Sequence, residues 1–328
     1  MSVPPPPPSL RADLVLEGGG VKGVAFGGVL GVLAERGYQF ERSAGTSAGA
    51  ITAALVAALQ RAGEPILRIR DIVDTLDLTR FADSNRVGRR LGPLRPVGDI
   101  VSLLVRGGLN EGAYLEDWLT GVLADLGVRT FGDLRRDDPG SALAAEHEFS
   151  LVVVTSDLSR RRMTLLPWDF GGYGLDPDEQ SVARAVRASA AIPFYFRPVD
   201  YPSERGPVSL VDGGLLSNYP ITIFDRPDPS AARWPTIGVR LSAREDDRGV
   251  TRPVRTALDV GLAVVDTAMH GIDARHIDDP EAIAKTIFVD VGQVRSTDFD
   301  LGPERRADLS RRGADAARKW LSDAAPLH

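Results

Sequence analysis

The sequence of 328 residues contains no cysteine. This absence excludes disulfide bonds, thiolate nucleophiles and cysteine-ligated metal sites. Histidine is scarce too: the chain has four, at positions 147, 270, 276 and 328, and no H-E-x-x-H motif occurs. Zinc chemistry of the metalloprotease type therefore has no support in the sequence.

A basic excess is also missing, since the formal net charge is −6. Nucleic-acid-binding proteins show the opposite balance, so we expect no nucleic-acid partner. The longest apolar run, residues 48–59, is shorter than the roughly 20 residues that cross a bilayer. The five consecutive prolines near the start have neither the basic residues nor the apolar run of a secretory signal. We therefore expect a cytoplasmic protein that contacts membranes, if at all, from the side.

Short apolar segments followed by glycine alternate with helical patterns, and this alternation predicts an α/β fold with a mostly parallel sheet. We expect a proline-rich tail at residues 1–10, a core at 11–225 with a helical insertion at about 64–134, and further strands and helices at 226–328 packed on the same domain. Six arginines against two aspartates between residues 80 and 106 indicate a solvated connection or, alternatively, a face for anionic lipid head groups.

The stretch EGGGVKG, residues 17–23, places Gly18, Gly20 and Gly23 in a G-x-G-x-x-G pattern between a predicted strand and a predicted helix. This context is typical of a dinucleotide-binding turn, and Glu41 is a candidate for the acidic residue expected about 20 positions later. The same bared amides suit the transient oxyanion of an acyl-transfer reaction. The loop by itself leaves both interpretations open.

The pentapeptide GTSAG, residues 45–49, matches G-x-S-x-G. In that motif the serine, here Ser47, lies on a sharp turn from strand to helix, and its small neighbours allow the backbone to pass close to itself. A helix start capped by Ser47 is the alternative.

A serine nucleophile needs a base, and VDGG, residues 211–214, offers Asp212 directly after an apolar segment. Taken alone, Asp-Gly is typical of a hairpin turn. Three such loops after three predicted strands would meet at one edge of an open α/β sheet, where ligands bind. His270 and His276 stay open as bases, because the histidine of a hydrolase triad comes late in the chain.

In this order, EGGGVKG, GTSAG and DGG resemble the patatin-like phospholipases. The resemblance continues through TSDL, ASAAIPFYFRP and DGGLLSNYP, and it covers residues 13 to about 220. It implies a three-layer α/β/α sandwich and a Ser–Asp dyad that uses no histidine, cofactor or metal. By motif position, Ser47 is the nucleophile and Asp212 the proton acceptor. The oxyanion loop falls on Gly18, Gly19, Gly20 and Gly23, and supporting positions fall on Lys22, Gly45, Gly49, Gly213 and Gly214.

The function that this resemblance implies is lipid ester hydrolysis of the phospholipase A or lysophospholipase type. Two alternatives stay open. One is a general carboxylesterase or thioesterase acting on simpler esters. The other is a nucleotide-binding regulatory module that uses the G-x-G-x-x-G turn.

Overall fold

The computed structural model describes residues 10–77, 80, 108–110, 112–138, 143–226, 234–241, 254, 260–261, 263–265, 267–268, 279–294, 296, 298 and 300–323. The proline-rich tail up to residue 9, the arginine-rich segment beyond Arg80, and the histidines at 270, 276 and 328 lie outside these residues. No helix in the described ranges is long and apolar enough to cross a membrane.

The helices and strands follow the predicted alternation. The described α-helices are α1 Val24–Glu35, α2 Ala48–Arg61, α3 Ile69–Asp74, α4 Ala113–Asp125, α5 Val182–Ser189, α6 Pro280–Ala284 and α7 Pro303–Asp323. The strands are β1 Leu10–Leu16, β2 Tyr38–Thr46, β3 Gly108–Asn110, β4 Leu151–Asp157, β5 Arg162–Leu166, β6 Phe194–Phe196, β7 Val199–Tyr201, β8 Val208–Asp212, β9 Thr236–Arg240 and β10 Thr286–Phe288.

The main sheet is mixed, with the strand order β10-β9-β1-β2-β4-β8-β7 and with β5 also paired to β4. The pairs from β10 to β4 are all parallel, whereas β4 pairs antiparallel with β5 and β8, and β8 with β7. Strand β3, within the predicted helical insertion, pairs with β6 in a separate small parallel sheet. The architecture confirms the predicted α/β fold.

The central strands are buried on both faces, which explains their continuous apolar sequence. Every residue of β4 is buried, and its alternate side chains enter two different cores. Leu151 and Val153 join the large core formed with helices α1, α2, α5 and α7. Val152 points to the other face and packs in a smaller core with Tyr219, Phe224 and Ala282 of α6. The sheet is therefore covered on both sides.

The register of β4 brings the end of β2 level with the end of β8. Thr46 pairs with Val154, and the next residue of β4, Thr155, pairs with Asp212. Because β8 is antiparallel to β4, its carboxyl end reaches this level from the opposite direction. The meeting of predicted parallel strand ends is therefore the wrong reason for the proximity. The antiparallel register brings Asp212 to the sheet edge where β2 ends.

Helices α1 and α7 cross at two glycines that leave no room for a side chain. A Cβ atom on Gly28 would lie 1.8 Å from the Ser310 carbonyl oxygen, and one on Gly313 would lie 2.1 Å from the Ala25 carbonyl oxygen. The C-terminal helix thus packs backbone to backbone against the first helix of the core.

We predict that Gly28→Ala destabilises the protein by about 1–3 kcal/mol, the usual cost of overpacking. Helix propensity alone predicts the opposite sign, because alanine is favoured over glycine by about 1 kcal/mol. Gly121→Ala in α4 is the control, since nothing lies within 4 Å of its added Cβ, and it should stabilise. Urea unfolding of both variants measures the difference, and stabilisation by Gly28→Ala would contradict the close crossing.

Candidate active site

Ser47 alone makes the turn from β2 into α2, and its backbone is in a conformation that L-residues rarely adopt. Its φ is 53° and its ψ is −120°. A Cβ atom on Gly45 would lie 2.3 Å from the Gly49 carbonyl, and one on Gly49 would lie 2.3 Å from the Leu16 carbonyl oxygen. Both flanking glycines are thus required by close backbone contacts. Such strain is found where the surrounding structure holds a residue in place, and it clusters at functional sites.

Asp212 lies at the end of β8 and is fully buried, with 0% of its surface exposed. Its Oδ1 accepts a hydrogen bond from the Gly214 amide at 2.8 Å. A Cβ atom on Gly213 would lie 2.3 Å from the Val154 carbonyl oxygen, so this glycine lets the turn pack against β4. The Gly214 amide thus binds the carboxyl group directly, whereas Gly213 allows the turn that carries it to pack against β4.

Ser47 and Asp212 interact through their side chains. Burial raises the pKa of Asp212 to about 7, and the Gly214 amide and the Ser47 hydroxyl oppose this shift as hydrogen-bond partners. The contact with Ser47 is looser than a fully formed hydrogen bond, because Asp212 Oδ2 has no partner of hydrogen-bonding geometry among the described residues. Loose contacts of this kind are common in sites without a bound substrate.

The glycine loop lies beside the start of α2. A Cβ atom on Gly23 would lie 2.9 Å from the Ala48 Cβ, one residue after Ser47. Gly20 adopts a left-handed conformation, with φ +54°. The amides of Gly19 and Gly20 donate a hydrogen bond to no described residue. Within the short helical turn that begins at Gly20, the first amide to donate to the loop is that of Lys22, which bonds to the Gly19 carbonyl oxygen. Within the described part of the chain, these two amides therefore have no acceptor.

The structure does not support Gly18 as an oxyanion donor. Its amide is already donated to the Asn218 carbonyl oxygen at 2.9 Å, which leaves it no hydrogen for a substrate. Gly23 ends the short turn after the loop, where its lack of a side chain permits the approach of α2. The half-exposed Lys22 makes no ion pair with any described residue, so its support of the loop stays a prediction.

Several residues that hold the loop were missed by the sequence interpretation. Asn218 Nδ2 donates a hydrogen bond to the Gly18 carbonyl oxygen at 3.1 Å, and the Asn218 carbonyl oxygen accepts one from the Gly18 amide. Asn218 thus binds both backbone polar groups of Gly18. The buried Glu17 accepts a hydrogen bond from the Leu241 amide, and the Ser296 carbonyl accepts one from Val21 at 3.1 Å. Asn218 stands in the motif DGGLLSNYP, whereas no sequence signal marks Leu241 or Ser296.

The dinucleotide-binding interpretation loses support from the geometry, whereas His270 and His276, the histidines left open as bases, lie outside the described residues. Glu41, the acidic candidate for a dinucleotide site, lies near the start of β2, away from the glycine loop, and pairs with Arg136 at 2.6 Å. His147 packs against Trp168, with ring centroids 4.7 Å apart and ring planes tilted by 54°. The described residues include no cluster of three or more His, Asp or Glu residues that could hold a metal ion.

A cavity of about 250 Å³ lies at the other end of the strands, lined by Asp13, Arg42 and Lys285 among others. Asp13 and Arg42 form a buried ion pair, and Lys285 pairs with Glu281 at 2.6 Å. These charges neutralise one another. Asp13 is the middle residue of β1 and Arg42 the middle residue of β2, about 16 Å along the strand from Ser47 at ~3.3 Å per residue, so this cavity is separate from the candidate site.

A serine on a strand-to-helix turn, a glycine loop beside it and a buried aspartate at one sheet edge are the features of an acyl hydrolase site. A family model for patatin-like phospholipases matches residues 14–225, and the chain belongs to this family. Membership implies lipid ester hydrolysis.

Relatives cover different shares of the chain. YqhO of Bacillus subtilis is 37% identical over 309 residues, which are 94% of this chain and 97% of YqhO. The NTE family protein Rv2565 of Mycobacterium tuberculosis is 29% identical over 214 residues, 64% of this chain but 27% of Rv2565. The crystal structure of VipD from Legionella pneumophila is similar with a TM-score of 0.53 at 20% identity, covering 96% of this chain and 67% of VipD. That last likeness concerns the fold alone.

We predict that Asp212→Asn stabilises the protein in a pH-dependent way. The unfolded carboxyl titrates near pH 3.8 and the folded one near 7. Between these values the unfolded chain releases a proton that the folded chain keeps, so this group lowers the stability of the wild type as pH rises from 4 to 7. The effect then levels off, with an upper bound on the order of 4 kcal/mol. Urea unfolding should show a gain for Asp212→Asn that is small at pH 4.5 and largest above pH 7.

Asp133→Asn is the matched control with the opposite sign. Hydrogen bonds from the Thr130 and Arg129 amides lower the pKa of Asp133. Its contribution to stability is therefore present above the unfolded pKa and is lost as pH falls, so this substitution should destabilise at neutral pH. A pH-independent effect of Asp212→Asn would contradict the burial of an ionisable Asp212.

Proposed function

We propose that this protein is a serine acyl hydrolase that cleaves carboxylic ester bonds of phospholipids or lysophospholipids, with Ser47 as nucleophile and Asp212 as base. The observation that carries the proposal is the interaction of a serine held on a strained turn with a fully buried aspartate whose pKa is raised to about 7. Family membership supports a lipid ester as the substrate.

In the first half of the reaction, Ser47 Oγ attacks the ester carbonyl carbon while its proton passes to Asp212. The carbonyl oxygen becomes an oxyanion, and the amides of Gly19 and Gly20, which donate to no described residue, are the donors proposed to bind it. The bond to the leaving alcohol then breaks, and the alcohol takes the proton from Asp212. An acyl group remains on Ser47.

In the second half, Asp212 accepts a proton from a water molecule that attacks the acyl carbonyl. The same amides hold the second oxyanion. When this intermediate collapses, Ser47 recovers its proton from Asp212 and the carboxylic acid is released. The net reaction is ester plus water to alcohol plus acid, with the site returned to its first state.

The raised pKa removes the main objection to an aspartate base. A carboxyl group with the ordinary pKa of about 3.9 is a poor proton acceptor for a serine hydroxyl. Burial brings the pKa of Asp212 to about 7, into the range where a general base is most effective at neutral pH. The site therefore has no chemical need of a histidine.

We predict that Ser47→Ala abolishes hydrolysis of phospholipid vesicles and labelling by a fluorophosphonate probe, because both require Ser47 Oγ. Lipid mass spectrometry should detect fatty acid and lysolipid with the wild type only. Ser322→Ala is the control, since Ser322 lies exposed near the end of α7, and it should behave as the wild type.

A short-chain nitrophenyl ester run in parallel separates lipid hydrolysis from general esterase activity. Turnover of the nitrophenyl ester without release of lipid products would contradict a lipid substrate, but it would not contradict the roles proposed for Ser47 and Asp212. Unchanged lipid hydrolysis by Ser47→Ala would overturn the dyad itself.

We also predict that kcat/KM of the wild type rises with pH and levels off above an apparent pKa of about 7, because Asp212 accepts the proton only when it is ionised. The Asp133→Asn variant should keep the same profile, since that carboxyl lies in a separate turn, at residues 131–134. A rate that is constant from pH 5 to 9 would contradict Asp212 as the base.

A further inference from the structure

We propose that Ser189 is a positioning residue and that residues 189–191 hold the nucleophile and the base within reach of each other. This inference rests on the proposed roles of Ser47 and Asp212. It assigns a task to the motif ASAAIP, which the dyad and the glycine loop leave without one.

Ser189 lies at the end of α5 with 0% of its surface exposed. Its Oγ accepts a hydrogen bond from the Ser47 amide at 2.9 Å and donates one to the Val154 carbonyl oxygen at 2.6 Å. The hydroxyl thus uses its hydrogen and one lone pair at once, and it ties the nucleophile turn to β4.

The position of Ser47 between β2 and α2 leaves its amide without a hydrogen-bond acceptor in either element. Ser47 follows the last residue of β2 and precedes the first residue of α2, so its amide belongs to neither ladder. A buried amide without a partner is unfavourable, and the strained φ of Ser47 needs external support. The Ser189 hydroxyl satisfies the first requirement and contributes to the second.

The same segment also holds the base. The Ala191 carbonyl oxygen accepts a hydrogen bond from the Asp212 amide at 2.9 Å. The segment itself is tightly turned, because Ala190 bonds back to Val186 and Ile192 bonds back to Ala190. The two ends of this three-residue segment, Ser189 and Ala191, therefore bond to Ser47 and Asp212, which are far apart in sequence.

Burial alone does not make a serine a positioning residue, and Ser43 provides the comparison. Ser43 is also buried, and its Oγ donates to the Ala53 carbonyl at 2.9 Å. It makes no contact with Ser47 or Asp212. Loss of either hydroxyl removes a buried hydrogen bond, but only loss of the Ser189 hydroxyl releases the nucleophile turn.

The test measures the rate at which a fluorophosphonate labels Ser47, together with kcat and KM for one ester, in the wild type, Ser189→Ala, Ser189→Cys and Ser43→Ala. For Ser189→Ala we expect labelling and kcat to fall between 10-fold and 100-fold, since misplacement by about 1 Å costs up to about 10²-fold. KM should stay within about twofold, because the bonds of Ser189 go to protein backbone groups. Ser189→Cys should be intermediate, because a thiol is a weaker acceptor.

The pH profile of labelling distinguishes positioning from a merely structural role. The Ser47 hydroxyl lowers the pKa of Asp212, so a displaced Ser47 should move the profile of Ser189→Ala to higher pH. Ser43→Ala should lose stability but keep the labelling rate and the profile of the wild type.

Each outcome decides between the two claims. If the wild type is not labelled at Ser47, the proposed function and this inference both fail. If Ser189→Ala is labelled as fast as the wild type, or if Ser43→Ala slows equally, the positioning role fails and the proposed function stands. Should Ser189→Ala not fold, the comparison of Ser189→Cys with Ser43→Ala decides on the same terms.

Discussion

The turn at Ser47 is the constraint on which the arrangement of the site depends. A strand passes into a helix through one residue with positive φ, so the first turn of α2 folds back over the end of β2. This crowding places Gly45 against Gly49 and Gly49 against the end of β1. The glycine loop that leaves β1 must then pass the same helix start, where Gly23 faces Ala48. The glycines of both motifs therefore serve close packing as much as chemistry.

The region after the family match is part of the same scaffold. The family model ends at residue 225, yet β9 pairs with β1 and α7 packs against α1. Backbone groups of Leu241 and Ser296 bond to Glu17 and Val21, on either side of the three consecutive glycines. The Gly19 and Gly20 amides donate to no described residue, and the hydrogen bonds that hold the loop are made by the residues on either side of them. The C-terminal third of the chain provides part of that support.

The sequence predicts local motifs better than it predicts pairings between segments that are far apart in the chain. The three glycine-containing motifs are local, and their positions at strand ends could be read from apolar segments followed by glycine. The antiparallel direction of β8 could not, because a strand of five residues carries no signal of its partner's direction. The donation of the Gly18 amide to Asn218 depends on two segments far apart in the chain. The sequence motif ASAAIP includes Ser189, but only the structure shows that the Ser189 hydroxyl accepts a hydrogen bond from the Ser47 amide.

The electrostatics of Asp212 support its proposed role as a base for neutral pH in a chain poor in histidine and free of cysteine. Two buried aspartates of this fold differ in one respect. Burial raises the pKa of both; the cation Arg42 opposes the shift of Asp13, whereas among the described residues only one amide and one hydroxyl, and no cation, oppose the shift of Asp212. A nearby cation would stabilise the carboxylate and weaken it as a base. With no cation of the described residues beside Asp212, burial brings its pKa to about 7, close to that of an imidazole, about 6.5. The Gly214 amide and, less strongly, the Ser47 hydroxyl stabilise the ionised form of Asp212, and the second contact couples the protonation state of Asp212 to the position of Ser47.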